Sequence, residues 1–147
     1  METTKQTNVF LENKPGRLAQ VLSALEKDKV SITGLTVMDS HEQSVLRMVT
    51  SDPARTALVL KGLSCPFTET DVLLVELRHQ IGALAHVCEQ LAAEHVNIDY
   101  CYVSAGSKNG RTYGVFKVSN TAKAQKAITS SNSKGYRKVG RRPLHTR

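Results

Sequence analysis

The feature that most restricts the fold of this chain is that much of it is written twice. Residues 9–37 align with residues 75–103 at a constant offset of 66, with ten identities in 29 positions. They are Val9/Val75, Leu11/Leu77, Gly16/Gly82, Leu18/Leu84, Ala19/Ala85, Val21/Val87, Leu25/Leu91, Val30/Val96, Ile32/Ile98 and Val37/Val103. Nearly all are apolar or glycine, which is what two copies of one packing scheme retain. Further on the offset becomes 68, where SVLRMVTSDPARTALVL runs against YGVFKVSNTAKAQKAI. The second copy therefore carries a longer loop between its second and third strands. Units of about 70 residues bury little core alone, so the halves are expected to pack into one body.

Each copy has the same order of elements. NVFLEN alternates, as a strand does. Leu18, Val21, Leu22 and Leu25 form a helical stripe, echoed by Leu84, Val87, Cys88 and Leu91. VSITGLTVM and VNIDYCYVS are rich in strand formers, as are SVLRMVT and TYGVFKVS. Asn109-Gly110 marks a hairpin between the last two. Asp52-Pro53 and Ser119-Asn120 are helix starts, which predicts short helices at about 53–62 and 121–130. A last strand is expected at 65–69, running almost without linker into 71–77, and in the second copy at 136–139. The outcome is βαββαβ twice: an α+β fold of two ferredoxin-like units, each an antiparallel sheet with helices on one face. The units are drawn as 1–70 and 71–133, followed by a basic segment, 134–147.

Charge adds little beyond that segment. The net charge of +7 comes from 20 basic and 13 acidic residues, and six of the basic ones lie in KGYRKVGRRPLHTR. The folded body is close to neutral, so a nucleic-acid contact through the tail is the alternative function. RTYGVFKV resembles an RNA-binding strand motif, but the partner aromatic strand it needs is absent from the same half. No apolar stretch is long enough to cross a membrane and the N-terminus lacks a secretory pattern, while the cysteine usage suits a cytoplasm. Cys65, Cys88 and Cys101 are odd in number and form no CxxC pair, so neither a disulfide framework nor a metal site is expected. Cys88 and Cys101 fall in apolar patterns and read as small buried hydrophobes.

The glycine turns are the remaining candidates for function. NKPGR lacks the GxxxxGK[ST] and GxGxxG patterns of phosphate and dinucleotide loops. No nucleophile, base and orienting group can be named together, so no catalytic residue, cofactor or metal is assigned. Glu76 and Asp99 lie on strands without an evident partner. Read without a ligand, Asn13 caps, Pro15 starts the helix and Gly16 relieves crowding. Read with one, Gly16 exposes backbone N–H groups at the positive end of a helix, where a carboxylate is favoured. Arg17 in the first turn of that helix is electrostatically odd there unless it points away or toward an anion.

Asn13, Lys14, Pro15, Gly16, Arg17 and Leu18, between a strand and a helix, match the recurrent turn of the ACT domain, an amino-acid-sensing module. The duplicated βαββα order strengthens the match, and the chain resembles two consecutive ACT units over residues 7 to about 130. The second turn, His79, Gln80, Ile81, Gly82, Ala83 and Leu84, keeps only the Gly and the Leu. The resemblance implies pairing into an eight-stranded sheet, with an amino acid bound at the seam by the first turn and a facing strand. It also implies a regulatory protein without chemistry of its own, acting on a partner enzyme as a dimer. The facing strand would come from 35–39 or 101–105. By this resemblance the second turn is the weaker, altered or lost site.

Overall fold

The computed structural model describes residues 1–40, 43–78, 80–104 and 111–132. The elements are β1 (Glu2–Glu12), α1 (Arg17–Lys27), β2 (Ile32–Ser40), β3 (Gln43–Thr50) and α2 (Pro53–Gly62). There follow β4 (Phe67–Leu77), α3 (Ala83–Ala93), β5 (Ile98–Val103), β6 (Thr112–Val118) and α4 (Thr121–Asn132). The short helices begin where the cap residues place them. Asp52 accepts from the Arg55 N–H at 3.0 Å and Asn120 from the Lys123 N–H at 3.0 Å.

The repeat holds at the level of the backbone. Lys29 and His95, related by the same offset, both take positive φ, at 59° and 55°. Each lets the chain leave its helix with a 6→1 bond, Val30 N–H to Leu25 C=O at 3.0 Å and Val96 N–H to Leu91 C=O at 2.9 Å. A register irregularity follows at Ile32/Gly34 and again at Ile98/Tyr100.

One antiparallel sheet carries both units, in the order β2-β3-β1-β4-β6-β5. It has six strands among the described residues; the strands expected at 65–69 and 71–77 are joined in one, β4. β4 is a single strand through residues 67–77, so the line drawn between 70 and 71 falls inside it. Residues 67–74 of β4 pair with β1, and residues 73–77 pair with β6. β1 is shared in the same way: Thr7–Glu12 pair with β3, and Glu2–Val9 pair with β4. The strand beside the start of the second unit is thus the N-terminal half of β1. The strand expected at 136–139 lies outside the described residues.

Strand alternation assigns each face. Val9, Leu11, Leu46 and Met48 pack with Val21, Leu25 and Leu60 under α1 and α2. Leu73, Val75, Phe116 and Val118 pack with Val87, Leu91, Ala124 and Ile128 under α3 and α4. The opposite face buries Val49, Val72, Leu74 and Val115, with Tyr102 and Tyr113 against them. There the sheet curls until its edges meet: a Cβ on Gly34 of β2 would lie 3.4 Å from the Tyr102 ring of β5.

A polar cluster fills the curl. Gln6, fully buried, donates through Nε2 to Asn8 Oδ1 at 2.7 Å and to the Tyr100 hydroxyl at 2.7 Å. Its Oε1 accepts from the Tyr102 hydroxyl at 2.9 Å. Asn8 in turn donates to Thr68 and Thr70, at 3.1 and 2.8 Å. The Arg47 guanidinium lies 3.9 Å from the centre of the Tyr100 ring.

Phe116 of the RTYGVFKV stretch is completely buried and cannot stack a base. Its ring folds over Gly114, where a Cβ would come within 2.6 Å of it. Gly114→Ala should therefore lower stability by about 1–3 kcal/mol through overpacking, measured by denaturant unfolding. A neutral result would mean that the ring shifts at no cost. Cys101, read from sequence as buried, is exposed, and Cys88 is half-buried. The reason is that β5 is an edge strand.

Candidate ligand site at the glycine turns

A strand that must enter an antiparallel helix needs a sharp reversal, and both turns make it with glycine. Gly16 has φ 85° and Gly82 has φ 89°, each standing immediately before its helix. A Cβ on Gly16 would meet nothing within 4 Å. Glycine is required there by the left-handed backbone, not by crowding. Asn13 makes no cap and Pro15 does not start the helix, which begins at Arg17. The cap position itself is Gly16, which has no side chain to offer, and Asn13 stands three residues too early.

The second turn differs from the first in side chains and matches it in backbone. Lys14 N–H bonds to Glu12 C=O at 2.8 Å, as Gln80 N–H does to Arg78 C=O at 2.8 Å. Arg17 N–H reaches Lys14 C=O at 3.4 Å, as Ala83 N–H reaches Gln80 C=O at 3.3 Å. Gln20 N–H to Gly16 C=O and His86 N–H to Gly82 C=O are both 2.9 Å. The exchange of Pro15 for Ile81 thus leaves the turn intact. In both, the first helical N–H groups, at Leu18 and Ala19 or Leu84 and Ala85, have no acceptor within the helix.

Side chains at the first turn are charged. Lys14 pairs with Glu12 at 2.8 Å, and this hydrogen bond holds the Glu12 carboxyl below its usual range. Arg17 donates from Nη1 to Gln20 at 2.8 Å. Its Nε is shielded from solvent with no partner among the described residues. Asn13, Lys14, Pro15 and Gly16 are exposed, and Leu18 is half-buried beside the first core.

The second turn lines an open cleft of about 670 Å³. Gln80, Ile81, Gly82, Ala83 and Leu84 form one wall, and Leu77, Val103 and Thr112 the other. Ile81 is wholly exposed at the mouth. His79 lies outside the described residues. Leu77, Arg78, Ala85, Val103 and Thr112 were not singled out from sequence, apart from the inclusion of Val103 in the segment 101–105. Strand alternation alone does not say which side of β5 or β6 meets the turn.

Of the segment 35–39, Leu35 packs against the first core while Val37 and Met38 are exposed. The strand carboxylates are held by neighbours: Glu76 by Arg111 at 3.6 Å and Asp99 by Asn97 at 2.9 Å. No three His, Cys, Asp or Glu side chains among the described residues converge as metal ligands. No described helix is long and apolar enough to cross a membrane.

Two ferredoxin-like units that share central strands, each opening a helix with a left-handed glycine, define a duplicated α+β fold. The chain belongs to the ACT domain pair family, whose model matches residues 2–137. Protein BT0572 from Bacteroides thetaiotaomicron is similar at 32% identity and a TM-score of 0.80, over 88% of this chain and 89% of that one. The ligand-free regulatory subunit of aspartate kinase from Thermus thermophilus shares the fold at 13% identity and a TM-score of 0.60, over 89% and 97%. Aspartate kinase from Synechocystis shares it at 17% identity and a TM-score of 0.56, where 96% of this chain spans 28% of that enzyme. No curated protein matches the sequence.

Proposed function

We propose that this chain is a non-catalytic regulatory module that binds a small amino acid or related carboxylate and passes its occupancy to a partner enzyme. The observation that carries this reading is the cleft at the second turn, where helix N–H groups with no acceptor inside their helix stand beside apolar side chains. A carboxylate suits the first and an aliphatic side chain the second. The shielded Nε of Arg17 supports an anion at the first turn as well. The relation to aspartate kinase regulatory subunits agrees with a role in control. The mechanism is a population shift: a ligand that bridges turn and strand favours the packing in which both are in place. We further take the working unit to be a cytoplasmic dimer of chains, each with two ACT units at residues 1–70 and 71–133.

A thermal-shift panel of the common amino acids tests this. A ligand at about a hundred times its Kd adds ~2.7 kcal/mol, which raises Tm by roughly 5–10 °C for a chain of this size. Ile81→Asp places a negative charge at the cleft mouth, on a side chain that contributes no burial. It should leave the unliganded Tm within about 2 °C and remove the shift. If Arg17→Ala removes it instead, binding sits at the first turn. If no amino acid moves Tm at millimolar concentration, the proposal fails.

A further inference from the structure

Two of the three cysteines replace a leucine pair of the other copy. At the offset of 66, Cys88 stands where the first unit has Leu22, and Cys101 where it has Leu35. The neighbouring helix positions Val21/Val87 and Leu25/Leu91 are unchanged. The apolar-to-thiol change therefore falls on one helix position and one strand position together.

The register puts both thiols on one side of the sheet. Cys101 is the cross-strand partner of Phe116, and directly opposed residues share a face. Phe116 belongs to the core beneath α3, and Cys88 on α3 packs against that same core. Both cysteines are free, one exposed and one half-buried, whereas Cys65 is buried in the first unit. The Cys88 thiol is pushed above its ordinary value, first by burial and then by the nearby Cys101 and Glu89.

Their positions bear on the cleft. Ala83, Leu84 and Ala85 of α3 form one wall, and Val103 of β5 part of the other. Cys88 follows on the same helix, and Cys101 stands two residues before Val103, on the same side of β5.

We propose that Cys88 and Cys101 form a reversible disulfide that staples α3 to β5 and sets the width of the cleft at the second glycine turn. The oxidant is a peroxide. The exposed Cys101 thiolate attacks the O–O bond, which gives a sulfenic acid and releases hydroxide. The Cys88 thiolate then attacks the Cys101 sulfur and displaces a second hydroxide. In sum, two thiols and one hydrogen peroxide give one disulfide and two waters. Two equivalents of a thiol such as glutathione restore the reduced pair and are themselves oxidised to their disulfide. Transient bonds of this kind fit a reducing compartment, where permanent ones do not persist. The stapling stands on the thiol pair alone. Its effect on ligand affinity rests on the amino-acid-binding reading above.

The test uses the full chain treated with hydrogen peroxide, denatured, alkylated and mapped without reduction. The expected product is a monomer in which a Cys88–Cys101 peptide is linked and Cys65 alone is alkylated. Glutathione should reverse it, and neither Cys88→Ser nor Cys101→Ser should form it. Alkylation at all three positions, intermolecular Cys101 dimers, or Cys101 sulfinic acid in place of the link would each overturn the proposal. So would a distance between Cα atoms beyond the roughly 4.4–6.8 Å that a disulfide spans, in an experimental structure of the oxidised protein. The amino-acid panel is then repeated on the oxidised and reduced forms. An affinity change of threefold or more, absent in Cys101→Ser, supports gating of the cleft. Equal affinities refute the gating. A linked protein that no amino acid stabilises leaves the disulfide standing and refutes the ligand reading.

Discussion

A chain that lacks residues 1–6 should lose its second half before its first. By sequence these residues lead into the first unit. In the sheet, Glu2–Gln6 pair with Leu74–Thr70, beside the strand that opens the second unit. α4 packs across β1, β4 and β6, so part of its floor would go with them. The truncation leaves the β4 backbone without a partner on that side and exposes Val72 and Leu74, which are buried now. It also deletes Gln6. The exposed Lys5–Asp71 ion pair, at 2.6 Å, adds little to the loss. Several net hydrogen bonds of about 0.5–1.5 kcal/mol each, with the lost burial, put the cost on the order of 3–5 kcal/mol. Hydrogen exchange should show β4 residues 70–77, β6 and α4 opening early while β2, β3 and α1 stay protected. Uniform loss of protection across all strands would mean that the halves unfold only together.

Replacing Gln6 by Leu should be nearly as damaging, although Leu is the more hydrophobic residue. Gln6 is fully buried and uses both amide hydrogens and its carbonyl, on Asn8, Tyr100 and Tyr102. Each buried group left unsatisfied costs about 1–3 kcal/mol, so the variant should lose on the order of 3–5 kcal/mol and roughly 10 °C in Tm. The loss should fall partly on the contact between units, because Tyr100 and Tyr102 belong to β5. Removing Tyr102's hydroxyl as well, in Gln6→Leu with Tyr102→Phe, should recover part of the stability. The pair should show a coupling of about 1 kcal/mol or more in a double-mutant cycle. Additive effects would mean that the bond contributes nothing. Burial also holds the Tyr102 phenol protonated above the usual tyrosine range. Its contribution is complete below the unfolded value of about 10 and declines as pH rises further, because the unfolded chain then releases a proton that the folded chain retains. Tyr102→Phe should flatten that alkaline decline.

The elements were legible because their signals are local. Helix stripes, the Asp52 cap and the strand alternation of NVFLEN each depend on residues within one or two turns of each other. The family was legible for a related reason: a turn of six residues, repeated with its flanking core positions, carries its own register. Cys101 was misread because its apolar neighbours in sequence say nothing of which strand lies at a sheet edge. The absence of an Asn13 cap was equally hidden. It depends on the chain making its turn at Gly16, one residue before the helix, and the sequence NKPG allows several starts. The candidate ligand turns could be named in advance, but not the walls opposite them. Leu77, Val103 and Thr112 reach the second turn only through the pairing of β4, β5 and β6.

By itself the sequence determined that there are two copies, what each is built from, and which glycines reverse the chain, since φ above zero and apolar periodicity are properties of short segments. Only the tertiary structure decided how the copies divide their strands. β1 and β4 are each long enough to overlap two neighbours, and an antiparallel stagger satisfies more backbone groups than two separate sheets with four free edges. That stagger carries the N-terminus into the second unit and buries Gln6 between them. It sets the edge strands β2 and β5 to meet, Tyr102 against Gly34, across a curl that no local pattern records.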